Sequence, residues 1–144
     1  MKSIDVKVAW PGREEVHFAC ELSDNGQIKN SHLTGIGNNQ LLALLKKYRT
    51  LLKGDILKLP LPDGSAPSDL CLREVILKAQ SKWLMPYTEE ELCHCRAVPT
   101  AVVDQAICAG AHTTRQVSEQ TSASTACGTC RPDVEAMIKY RLAK

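Results

Sequence analysis

The sequence predicts an α+β chain in two parts: an amino-terminal three-stranded antiparallel sheet with helices on one face, then a small all-helical domain. Three observations carry this. Apolar and polar residues alternate over much of residues 4–33, two helical periodicities follow between residues 41 and 83, and two close cysteine pairs stand in the last third, Cys93-His94-Cys95 and Cys127-Gly128-Thr129-Cys130. At 144 residues the chain has room for one ordinary domain or two small ones. We place the parts at residues 1–84 and 91–144, joined by a linker at 85–90.

Ile4, Val6, Val8 and Trp10 alternate with polar or small residues, the period of a strand with one buried face. Phe18, Cys20 and Leu22 repeat the pattern after Pro11-Gly12. Ser23-Asp24-Asn25-Gly26 is a hairpin signal, because Asn and Gly tolerate positive φ, and Gln27 to Leu33 forms the third strand. Leu41, Leu42, Leu44, Leu45, Tyr48, Leu51 and Leu52 share a helical face, opposite Lys46, Lys47, Arg49 and Lys53, and Gly54 caps this helix. A second helix starts near Ser65 or Ser68, with Pro67 and Asp69 in its first turn, and runs to about Trp83. Its Leu70, Leu72, Val75, Ile76 and Ala79 would pack on the sheet. Met85-Pro86-Tyr87-Thr88 breaks the periodicity.

In the last third, Val98, Val102, Val103, Ala106 and Ile107 trace a helix that Gly110 ends in a left-handed cap. Thr113 with Gln116 forms a capping-box signal for a second short helix, ending before Thr121. Pro132, with Asp133 and Glu135 behind it, opens a third helix through Met137, Ile138 and Leu142. Cys127 and Cys130 thus lie just before a helix amino terminus, whose unpaired N–H groups and positive dipole end favour anionic sulfur.

Two thiolate pairs can close around one metal centre, each supplying a chelating bite, with 31 residues between Cys95 and Cys127 to fold them together. A domain of about 50 residues buries too little surface to be comfortable without such a cross-link. Soft thiolates suit both iron-sulfur clusters and zinc. Structural zinc sites usually space each pair by two or more residues, so the tight Cys-x-Cys favours a cluster and keeps zinc as the alternative, in an interaction module without redox activity. Arg96 and Arg131 flank the ligands and either offset cluster charge or are simply solvated. His94, between two ligands, is read as facing away from the metal. Cys20 falls on the apolar face of a strand and Cys108 on a helix, both as core thiols.

Charge and composition exclude other classes. Eighteen Lys and Arg against 16 Asp and Glu give a net charge of +2, too weak a field to argue for nucleic acid. No stretch approaches the roughly 20 apolar residues of a membrane span. Without a secretory pattern at Met1-Lys2-Ser3-Ile4-Asp5, the chain is read as cytoplasmic, where seven cysteines are better explained by metal ligation and buried thiols than by disulfides.

Residues 91–142 resemble the bacterioferritin-associated ferredoxin-like (BFD-like) [2Fe-2S]-binding domain, also found as the central domain of NifU-type assembly proteins. The resemblance rests on Cys-x-Cys, a helix ending in Ala109-Gly110, a Thr-led second helix and Ala126-Cys127-Gly128-Thr129-Cys130. It implies one [2Fe-2S] cluster held by Cys93, Cys95, Cys127 and Cys130. Residues 1–83 more weakly resemble the NifU/IscU-type scaffold, in the run Phe18 to Gly26, the following strand, a Gly-containing turn and a long helix. Of the three scaffold cysteines the correspondence carries across Cys71, while Gly12 and Asn38 stand where the others would fall. That implies a degenerate scaffold domain, with Cys71 as a buried thiol, a relic ligand or a persulfide acceptor. No base stands near it in sequence, so no catalysis is expected. The resemblances imply electron transfer or cluster handling with transient partners: a redox enzyme, a cysteine desulfurase or an assembly factor.

Overall fold

The computed structural model describes residues 2–10, 13–93, 97–123 and 130–142, and of Cys93 the backbone alone. The chain divides into two compact units, residues 1–83 and 84–144.

In the first unit β1 (Lys2–Ala9), β2 (Glu15–Leu22) and β3 (Gln27–Ile36) form an antiparallel meander. Gly26 takes φ +81° in the tight connection between β2 and β3. Ile4↔Cys20, Val6↔Phe18, Val8↔Val16 and Phe18↔Leu33 are in register, so one face carries the apolar set. Helix α1 (Asn39–Arg49) packs on β3, α2 (Pro67–Ala79) packs on β1 and β2, and the helices touch each other. A fourth strand, β4 (Gly54–Asp55), pairs with Gln27 and Ile28. At two residues it was too short to show a period.

The helix ends differ from the expected ones for local reasons. Asn38 Oδ1 accepts from Leu41 N–H at 2.9 Å and starts α1. The helix stops at Thr50, whose hydroxyl donates to Lys47 O at 2.8 Å, and Gly54 opens β4 instead of capping. Leu42 lies outside the buried stripe of Leu41, Leu45 and Tyr48, at 45% exposure. Ala66, not a serine, is the N-cap of α2, and Ser81 at φ +59° ends that helix well short of Trp83, with Lys82 N–H bonding back to Leu77 O at 2.8 Å. Buried Arg73 holds the Pro-rich loop through Pro62 O at 2.6 Å and Gly64 O at 3.0 Å.

Gly35 faces the core opposite Val16, and a Cβ there would sit 2.6 Å from Leu45 Cδ1 and 2.8 Å from Glu15 O. The backbone oxygen belongs to the ladder and has little room to give. Gly35→Ala is expected to destabilise the first unit by about 2 kcal/mol. Both tryptophans, Trp10 and Trp83, lie in this unit, so urea unfolding followed by tryptophan fluorescence reads the change there.

The second unit is mostly helical: α3 (Thr100–Cys108), α4 (Thr114–Thr121) and α5 (Arg131–Leu142). It also holds a small ladder, β5 (Glu91–Cys93) against β6 (Val98–Pro99), where an all-helical domain was expected. Val98 was read as helical. The proline that follows it disfavours the α region, so Val98 extends and pairs with Cys93, and α3 begins after Pro99. Val103, Ala106 and Ile107 are buried, whereas Val102 is 43% exposed. Gly110 at φ +124° ends α3 in a Schellman motif, with Ala111 N–H bonding Ala106 O at 2.9 Å. Thr113 Oγ1 caps α4 by accepting from Gln116 N–H at 3.1 Å. Gln116 Oε1 reaches back to His112 N–H at 2.9 Å. Met85 and Tyr87, on the stretch read as a linker, are partly buried against this unit's core. Among the described residues no helix is long and apolar enough to cross a membrane.

Candidate metal centre

Cys130 occupies the N-cap position of α5. Its carbonyl accepts the first helical hydrogen bond, from Val134 N–H at 3.1 Å. Being 7% exposed, it belongs to the buried cluster that also contains Leu92, Val98, Ile107 and Val134. Cys93 closes β5, directly after Leu92 and opposite Val98. Two predicted ligand positions, far apart in sequence, are therefore anchored by neighbours in one core. Nothing local in the sequence joins them; the packing of α3 and α5 around Leu92 and Val134 does.

The frame on which β5 sits is hydrogen-bonded at several points. Tyr87 Oη–H donates to Glu91 O at 2.9 Å, Thr100 N–H donates to Glu90 O at 2.9 Å, and the Thr100 hydroxyl bonds Glu89 O. Ala97 has φ +53°, a left-handed conformation that costs an L residue about 1–2 kcal/mol. Sequence reasoning did not single out Tyr87. Burial first, then the negative charges of Glu89, Asp133, Cys130 and Glu91, push its hydroxyl above the usual range.

Cys95 and Cys127, with Arg96 and His94, lie outside the described residues, as does the side chain of Cys93. Among the described residues no three His, Cys, Asp or Glu side chains gather as a metal site. Of the four predicted ligands only Cys130 has a described side chain. Arg131, the first residue of α5, is exposed. The donor chemistry fits a cluster: a thiol at a helix start, where first-turn N–H groups lack intrahelical acceptors, and a second cysteine on a strand rooted in the same core.

The other cysteines are placed as core thiols. Cys20 lies on the inner face of β2, and burial pushes its thiol pKa up. Cys108 is buried at the end of α3. Cys71 is 0% exposed in the first two turns of α2, so solvent has no path to its sulfur. Asn38, where a scaffold cysteine would fall, caps α1, while Gly12 lies outside the described residues.

Residues 92–140 match the family model of the BFD-like [2Fe-2S] binding domain. The matched stretch contains all four predicted ligand cysteines. Among curated proteins and among solved structures nothing matches the chain.

Proposed function

We propose, from a BFD-like [2Fe-2S] binding domain at residues 92–140, that this chain carries one cluster on Cys93, Cys95, Cys127 and Cys130 and serves electron transfer. The bound cluster would supply one-electron chemistry. The chain's own residues hold and shield it: Cys130 from the N-cap of α5 and Cys93 from the end of β5, both fixed by the core around Leu92. The observation that carries the reading is this anchoring. A ligand buried at the start of a packed helix favours keeping a cluster over surrendering it.

The chain works as a carrier, not an enzyme, in the reducing cytoplasm, meeting its redox partner transiently. A degenerate scaffold-like first unit fits a docking role, since Cys71 is out of reach. Cluster assembly or transfer, with a cysteine desulfurase or assembly factor as partner, is the second reading of the same site. Anaerobic incubation of the holoprotein with a cluster-free acceptor ferredoxin separates the two. Electron carriage predicts that iron and visible absorption stay with this chain through repeated reduction and reoxidation. Stoichiometric passage of the cluster to the acceptor would instead establish a cluster carrier.

A further inference from the structure

We propose that the groove between β3 and the end of α1 binds a small ligand through an oxyanion, a phosphate or a carboxylate. The inference is independent of the cluster. A cavity of about 300 Å³ lies there, lined by Ser31, His32, Leu33, Thr34, Arg49 and Leu52. This is the lower end of the range for small-molecule sites. Beyond Ile28, β3 has no second strand partner among the described residues, so its outer edge is open. Leu33 O, on that edge, accepts from Arg49 Nε–H at 2.9 Å. The bond fixes the plane of the guanidinium and leaves its four Nη N–H groups, a fork that matches two oxygens of one oxyanion.

The electrostatics select the sign of the ligand. Among the described residues no Asp or Glu lines the cavity and no carboxylate pairs with Arg49. Ser31, His32 and Thr34 also line the cavity, beside buried Leu33 and Leu52. The carboxyl end of α1 contributes about half a negative charge. Exposed Lys46, Lys47, Arg49 and Lys53 outweigh it.

The test uses the full chain, labelled with ¹⁵N and titrated with inorganic phosphate and, separately, with citrate, at ionic strength held constant by potassium chloride. Saturable shifts confined to the Ser31–Thr34 amides and the Arg49 Nε–H are expected. Response to phosphate alone marks a phosphate-bearing ligand, to citrate alone a carboxylate-bearing one, and to both a general oxyanion site. Arg49→Gln should weaken binding about tenfold or more. Thr34→Val, on the exposed face, should weaken it severalfold with the tryptophan-detected unfolding curve unchanged. Should Arg49→Gln fail to fold, Thr34→Val decides. Absence of saturable shifts with either anion, or equal affinity in every folded variant, overturns the proposal.

Discussion

Cys130→Ser is expected to purify without its cluster. Outer-shell partners of a metal ligand already cost about 10–100-fold in affinity when removed, and loss of a ligand costs more. Iron and sulfide content should therefore fall at least about tenfold, and the visible absorption should disappear. Cys130 is also part of the core that holds Leu92 and Val134, so the second unit should melt at a lower temperature. The first unit has its own core and both tryptophans, and its fluorescence-detected unfolding should be unchanged. Full iron loading of the variant would remove Cys130 from the ligand set.

Asp104→Ala is expected to destabilise the second unit strongly. Arg141 is 3% exposed, and its Nε and Nη2 donate to the two carboxylate oxygens of Asp104 at 2.9 and 2.7 Å. Removing the carboxylate leaves the guanidinium buried without that partner, a loss of about 2–4 kcal/mol. Asp104 is the more exposed member, and water entering from its side keeps the figure below that of a sealed pair. Arg141→Met, which removes the charge and keeps most of the volume, should cost less. Thermal melts of the holoprotein followed by visible absorption compare the two. A larger loss for Arg141→Met would mean that the stem of Arg141, not its charge, matters to the core.

Much of this fold is written locally and was legible. The alternation of Val6 and Val8 and of Phe18 and Cys20 fixes which face of the sheet is buried. Asn25-Gly26, Gly110, Thr113 and Pro132 act within a few residues of themselves, so their effects follow from sequence. The rest depends on meetings at long range. The bonds of Arg73 to the Pro62–Gly64 loop and of Arg141 to Asp104 have no local signal, because only the folded chain brings the acceptors to them. Val98 was misread because its helical spacing with Val102 competed with the restriction imposed by Pro99, and the proline prevailed. Leu42 and Val102 match the helical period yet face outward, since the neighbouring helices cover only part of each apolar face.

The site divides the same way. Cys-x-Cys and Cys-x-x-Cys announce chelation by spacing alone, which is a local property. That Cys93 and Cys130 root in one core is not local and required the fold. Cys71 is buried, as one of its three readings in sequence had it.

The central claim is that four cysteines hold a [2Fe-2S] cluster. Quantifying iron, acid-labile sulfide and zinc in the anaerobically purified full chain, with spin resonance after reduction, tests it most directly. The account predicts about two irons and two sulfides per chain and a reduced-state signal of one unpaired electron. A colourless, folded protein holding one zinc and no sulfide would contradict it.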